Sequence, residues 1–314
     1  MGMNKRGLVL VLLLALFLAG CQNDNKEKTP EGPYVGGTQG LLFAFEEGEP
    51  PAAVLDNDQQ EFFITLVVRN LGEYTVPEGK AIASISGIDS KAFSMSSLNT
   101  KNDVDITGIA KDQSFIIEGG EELLQFEQAS YTNDVGADFG LTMRADLCYK
   151  YKTEALTHLC LKENVVKKEI EDVCDTTNSN LPHFNSGAPV QISNVRQNTV
   201  GSGKVQVAFT VENVGNGIVY LPESFTNACT GEKGMMDMVK ISLENPQNNF
   251  KPSCSALGKS DSGNVRLVNR KKEITCTIDT SGLQKVSYQD LLLINVDYMY
   301  REAVTTNLNV ENAV

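Results

Sequence analysis

The sequence predicts an all-β protein, two tandem β-sandwiches behind a signal peptide and a short tether. Three observations carry that expectation. Short alternating or wholly apolar runs recur along the chain, separated by Gly, Asn, Asp and Pro. Long amphipathic helical patterns are missing, and only 163–174, where Val166, Ile170 and Val173 share a helical face, offers a turn or two. The two halves of the chain also repeat one another. At 314 residues and 41% hydrophobic content there is length for about two ordinary domains and enough apolar material for their cores.

In the first segment, residues 1–20, Lys5 and Arg6 precede an uncharged apolar run over 8–20. As a helix that run spans about 20 Å, short of the roughly 30 Å hydrocarbon core, so it reads as a signal peptide. Its end, Leu18-Ala19-Gly20-Cys21, resembles the lipobox of bacterial lipoproteins. The resemblance implies that Cys21 receives lipid, becomes the first mature residue and attaches the protein to membrane lipid. Two alternatives stand beside it. The cysteine is incidental to an ordinary signal, or Lys5-Arg6-Gly7 is a pilin-type cleavage site and the apolar segment is retained for packing. Against the second, Gly20 and the polar run 22–25 stop the helix early. Residues 21–37, polar and carrying Pro30 and Pro33, read as a tether with little that packs.

The first sandwich is expected over 38–174, with strands at 62–69, 81–87, 122–128, 139–151 and 156–162. Thr, Asn, Ser and one proline then mark a linker at 175–187. The second sandwich, 188–314, has strand patterns at 190–194, 204–212, 238–243, 264–268, 273–278, 291–300 and 304–310. The last alternates cleanly and is expected as an edge strand, open to a partner strand.

The repeat rests on two motifs. Val68-Arg69-Asn70-Leu71-Gly72 matches Val211-Glu212-Asn213-Val214-Gly215 at an offset of 143, and Tyr149-Lys150-Tyr151 matches Tyr298-Met299-Tyr300 at 149. In the first motif Asn is expected to cap a turn and Gly to supply backbone freedom. The tyrosines are expected to cover the core edge with hydroxyls reaching solvent. An aromatic binding strip is the alternative. A strand ending in Val-x-Asn-x-Gly and a terminal strand pair carrying Tyr-x-Tyr resemble the immunoglobulin-like, cell-adhesion-related domains of archaeal and bacterial surface proteins. The resemblance implies two immunoglobulin-like sandwiches at the cell surface, although no core tryptophan is present.

Seven cysteines occur. With Cys21 set aside for lipid, Cys148, Cys160, Cys174, Cys229, Cys254 and Cys276 form an even set suited to disulfides in an oxidising compartment. A hairpin centred on residue 154 would pair Cys148 with Cys160. Cys254 with Cys276 is the next choice, which leaves Cys174 with Cys229.

The formal charge of −13 disfavours a nucleic-acid partner. His158 and His183 are the only imidazoles, too few for most His-based catalysis or metal sites. We therefore expect no enzyme, no catalytic residues, and no cofactor. Asp56-Asn57-Asp58, Asn102 to Asp105 and Asn133-Asp134 offer oxygens to calcium, but Asp and Asn also simply favour turns. What remains is a membrane-anchored surface protein that recognises an envelope protein or polysaccharide. An architectural spacer, or accessory subunit of a surface assembly, is the other reading.

Overall fold

The computed structural model describes residues 32–113 and 115–313. The signal peptide, Cys21 and residues 22–31 lie outside the described residues. The first half supplies β1 (Leu41–Phe45), β2 (Ala53–Leu55), β3 (Glu61–Phe62), β4 (Thr65–Asn70), β5 (Ala81–Ser86), β6 (Asn99–Lys101), β7 (Ala110–Asp112), β8 (Phe115–Ile117), β9 (Glu121–Gln125), β10 (Ala129–Ser130) and β11 (Phe139–Leu161). After it come β12 (His183–Asn185), β13 (Val190–Thr199), β14 (Lys204–Asn213), β15 (Ile218–Tyr220), β16 (Met238–Glu244), β17 (Ser253–Cys254), β18 (Ser262–Arg266), β19 (Lys271–Asp279) and β20 (Tyr288–Glu311). The chain is all-β.

Two strands organise everything else. β11 and β20 pair antiparallel in unbroken register from Phe139 opposite Val310 to Leu161 opposite Tyr288. At about 3.3 Å per residue this ladder runs about 75 Å. The sequence expectation had split each strand in two, at 152–155 and at 301–303. Neither Lys152-Thr153-Glu154-Ala155 nor Arg301-Glu302-Ala303 contains Gly, Pro, Asn or Asp, so nothing there favours a reversal. The alternation simply continues. Tyr151, Thr153, Ala155, Thr157, Leu159 and Leu161 all point into the core.

The repeat offset of 149 matches Lys150 to Met299, and these two residues face each other in the ladder. A pseudo-two-fold axis therefore passes between them, and each long strand begins in its own half and finishes in the other. β11 starts against β5 and ends against β12. β20 starts against β16, passes β15, and ends alongside β2 in the first half. Of the expected edge strand at 304–310, residues 304–308 pair with β11 alone and keep one open side, while β2 covers that side from Asn309 on.

The shared sheet runs β18-β16-β20-β11-β5-β6, with β2, β12 and β15 attached. Four smaller sheets accompany it, β1-β4-β9 with the two-stranded β3-β10 and β7-β8 in the first half and β13-β14-β19-β17 in the second. Inward residues such as Leu66, Val68 and Leu124 in β1-β4-β9, and Phe209, Val211 and Ile274 in β13-β14-β19-β17, belong with the shared sheet to one continuous core. Among the strands only β1, Leu-Leu-Phe-Ala-Phe, is both long and absent from the sequence expectation. The short β2, β6, β7, β8, β10, β12, β15 and β17 are also unforeseen.

Residues 175–187 carry β12 and a bridge between Asn178 and Gln197. At 163–174 two isolated turns form, the Lys167 N–H donating to the Asn164 carbonyl and the Asp172 N–H to the Glu169 carbonyl (both 3.3 Å), but they do not join into a helix, because neighbouring hydrogen bonds go elsewhere. The Glu169 N–H donates to the Asp172 carboxylate (3.0 Å), and the Val165 carbonyl accepts from Thr176 (3.0 Å). Val166, Ile170 and Val173 are left exposed.

Three disulfides join Cys148 to Cys229, Cys160 to Cys174, and Cys254 to Cys276. The expected Cys148–Cys160 bond is geometrically excluded. The two residues lie on one strand, about 40 Å apart at strand rise, where a bridge needs Cα atoms within about 7 Å. Cys174 consequently pairs with Cys160 and not with Cys229. Cys254 and Cys276 sit directly opposite on β17 and β19.

Candidate functional site

The repeated motifs meet at the pseudo-axis. Tyr149 faces Tyr300 and Tyr151 faces Tyr298 across the ladder, all four fully buried, with ring centroids 5.6–6.3 Å apart. Tyr151 donates to Asn70 Oδ1 (3.0 Å), and Tyr300 donates to Asn213 Oδ1 (3.2 Å). Each asparagine in turn donates through Nδ2 to the carbonyl four residues on, Tyr74 (2.7 Å) or Gly217 (2.9 Å). The second tyrosine of each Tyr-x-Tyr thus binds the asparagine of its own half. The Tyr149 hydroxyl accepts from the Leu41 N–H at 3.2 Å. The Thr153 hydroxyl donates to the Val190 carbonyl (2.7 Å), so Tyr298, 3.1 Å away, donates to Thr153.

This arrangement overturns two expectations. The hydroxyls are enclosed and hydrogen-bonded instead of reaching solvent, and burial holds all four phenols above their ordinary pKa. Nor do Gly72 and Gly215 supply positive φ. A Cβ at Gly72 would collide with the Tyr151 hydroxyl and the Gly187 and Gln39 carbonyl oxygens, and one at Gly215 with the Tyr300 hydroxyl. The glycines are there for close approach. With no accessible ring face, the quartet is a structural hub and not a binding strip.

On the opposite face of the sheet, Cys229 brings the loop following β15 over the axis. Ile82, Cys148, Tyr220, Phe225, Cys229 and Met299 form a second apolar cluster there. Beside it Asp146 accepts from Arg144 (2.8 and 3.0 Å) and Arg301 (3.0 Å). Burial opposes ionisation of Asp146, but the two guanidiniums prevail and hold its carboxyl below the usual range.

Two of the loop acids, Asp56 and Asp105, are occupied by the backbone, and Asp58 accepts from the Ser130 hydroxyl (2.7 Å). Asp56 is buried and accepts from the Val135 and Ala313 N–H groups (2.7 and 2.8 Å). Asn102 binds Ala81, Pro77 and Val104, and Asp105 accepts from Glu78. These are turn-closing roles. No group of three or more His, Cys, Asp or Glu among the described residues is placed to hold a metal. His158 is exposed on β11, and His183 lies in β12 with Nδ1 3.1 Å from the Leu181 carbonyl.

The most distinctive surface feature is a corner where the N-terminal segment meets the body. Glu73 grips that segment. Its carboxylate accepts from the Val35 and Gly36 N–H groups (both 2.9 Å) and from Gly187 (2.6 Å). Tyr34, half buried beside the Glu154 and Glu73 carboxylates, has its pKa pushed up to about 12. The end of the expected tether therefore packs. Lys111 on β7 donates to the Gly32 carbonyl at 2.7 Å. A cavity of about 440 Å³ opens at this corner, lined by Tyr34, Glu73, Tyr74, Lys111, Lys152 and Glu154 among others.

β7 pairs only with β8, as a two-stranded sheet of its own, tied to the body at its base by the Ile109 N–H on the Gly72 carbonyl (2.7 Å). Phe115, Ile116 and Ile117 on β8 are 76%, 43% and 55% exposed, consecutive residues uncovered on both strand faces. Sequence reasoning missed them because three residues are too few for a periodicity. The available signal was an apolar triplet between Asp112 and Glu118.

The disulfides fit an extracytoplasmic, oxidising compartment. No helix among the described residues is long and apolar enough to cross a membrane. No family model matches the chain, and no curated protein matches it. Solved structures with some similarity include the adhesin InvE of Yersinia pseudotuberculosis, at 10% identity and a TM-score of 0.17, over 89% of this chain and 62% of that one. Another is the serine-rich repeat adhesion glycoprotein Srr1 of Streptococcus agalactiae, at 10% identity and a TM-score of 0.18, over 91% of this chain and 100% of that one. The chain thus spans about 62% of the InvE chain's length.

Proposed function

We propose that the protein is a non-enzymatic, lipid-anchored component of the cell exterior, acting in adhesion or in recognition of an envelope protein or polysaccharide. The observation that carries this reading is the combination of a lipobox-like Leu18-Ala19-Gly20-Cys21 after an apolar run with a body closed by three disulfides. The chemistry-bearing side chains of the body support it. The tyrosine quartet, Asp56 and Glu73 are committed to holding strands and turns together. The exposed Val166, Ile170 and Val173, in a loop closed by Cys160–Cys174, offer apolar contacts on a constrained scaffold.

An architectural role is the second reading, and the unbroken β11/β20 ladder favours it. A sheet of that length resists bending between the two halves, which suits a spacer.

Intact-mass analysis of protein extracted from membranes tests the anchor. A mass matching residues 21–314 plus lipid on Cys21 is expected, and an unmodified Cys21 would overturn the reading. Crosslinking on intact cells then separates the two roles. A recognition protein yields a discrete envelope partner through the 163–173 loop, whereas a spacer yields none there.

A further inference from the structure

We propose that the β7–β8 hairpin is a membrane-contacting wedge that sets the body against the lipid surface to which Cys21 is attached. The inference rests on the lipid-anchor reading and adds to it a second point of contact.

Three observations lead there. Phe115, Ile116 and Ile117 are exposed in succession on a hairpin that belongs to neither sandwich, where no neighbouring strand covers them. A contiguous run of exposed apolar side chains marks a contact with an apolar surface. Second, the hairpin lies where the chain leaves for the anchor. Lys111, the register partner of Ile116, holds the Gly32 carbonyl, and Glu73 fixes Val35 and Gly36 just behind it. Third, the covalent leash is short. Eleven residue steps separate Cys21 from Gly32, so the anchor point lies at most about 40 Å from the hairpin, however that segment runs.

A single lipid chain holds a protein only marginally at a membrane, and a second apolar contact makes the attachment durable. The chemistry also says which lipid surface fits. The body is strongly acidic, and Asp112, Glu118, Glu121 and Glu122 flank the hairpin. Attraction to anionic headgroups is therefore not the driving force. The contact is apolar, suits zwitterionic lipid, and changes little with salt.

The chain contains no tryptophan, so Phe115→Trp gives a unique fluorophore at an exposed position that leaves the core untouched. The full-length lipidated variant is reconstituted into phosphatidylcholine vesicles with or without bromine on the acyl chains. Quenching of roughly twofold or more by the brominated lipid, unchanged by added salt, is expected of a residue resting at the headgroup–acyl boundary. Adding Ile116→Ser and Ile117→Ser should remove most of that quenching. Lipidated, vesicle-bound protein whose tryptophan is not quenched would overturn the wedge and leave the anchor standing. A tryptophan that becomes shielded with rising protein concentration before any vesicle is added would show a second copy as the occupant, again against the proposal. Unlipidated Cys21 by mass would instead bring down the anchor reading, and the wedge with it.

Discussion

The two halves solve one packing problem with the same parts and differ in how tightly those parts fit. In both, a glycine lets a buried tyrosine hydroxyl reach the asparagine two residues before it. In the first half Asn70 Oδ1 also accepts from the Gly72 N–H (3.1 Å), so it keeps a partner without Tyr151. In the second, Tyr300 supplies Asn213 Oδ1 with its donor and gives the Gly217 N–H its acceptor (2.8 Å). The first half is therefore tighter around its glycine, the second more dependent on its tyrosine. The halves differ again where the repeat offset sets Thr153 against Glu302. Thr153 is buried and fully bonded, whereas Glu302 is a half-buried carboxylate held by Tyr149, beside a cavity of about 280 Å³. The repeated scaffold thus keeps its hydrogen-bond hub while one copy places a carboxylate beside a cavity.

The largest asymmetry is the crosslink between the halves. Removing Cys148–Cys229 by a double serine substitution opens a loop with a separation of 81 residues, a loss of about 4 kcal/mol by chain entropy. The same change at Cys160–Cys174, separation 14, should cost about 3 kcal/mol. Denaturant unfolding of the two variants measures both, and the reverse order would break the claim that Cys229 ties one half to the other.

Next comes the glycine comparison. Gly72→Ala meets two backbone oxygens that cannot swing aside and should cost about 3 kcal/mol. Gly215→Ala meets side-chain atoms, the Tyr300 hydroxyl and Pro189 Cβ, and should cost less. Equal losses in thermal unfolding would erase the distinction.

The tyrosines should rank the other way. Tyr300→Phe leaves two buried polar groups unpaired and is expected to lose about 2 kcal/mol, against about 1 for Tyr151→Phe. Chemical denaturation resolves that difference.

The smallest effect sharpens the Thr153/Glu302 contrast. Burial raises the Glu302 pKa against the opposing hydrogen bond from Tyr149. A raised carboxyl favours the folded state when protonated, and that advantage is lost as pH rises through its folded value. Glu302→Gln should therefore stabilise the protein at pH 7 by less than about 1 kcal/mol, after solvent screening, and by nothing at pH 3. A loss at pH 7 would show that the carboxylate is doing something the glutamine cannot.

Much of this was legible in the sequence, for physical reasons that can be named. Period-two alternation announced the strands, and the two repeated motifs turned out to be the two sides of one contact, Asn70 to Tyr151 and Asn213 to Tyr300. Where each strand ends was harder to read, because alternation is identical in a long strand and in two hairpin arms. Only the lack of turn-forming residues at 152–155 and 301–303 separates the cases. The cysteine pairing inherited that error, since a hairpin would bring Cys148 to Cys160 and a straight strand carries them apart. The glycines misled because their backbone is ordinary, and their need arises from a tyrosine some eighty residues later in the chain. The corner at Gly32, Glu73 and Lys111 carries no local pattern at all. It exists only because the pseudo-symmetric ladder brings residues 34, 73, 111, 154 and 187 together.

Disulfide mapping of the non-reduced protein by proteolysis and mass spectrometry tests the exchanged-strand architecture most directly. The account predicts linked peptides joining Cys148 to Cys229 and Cys160 to Cys174. A peptide joining Cys148 to Cys160 would contradict it, because those thiols meet only if the long strand folds back on itself.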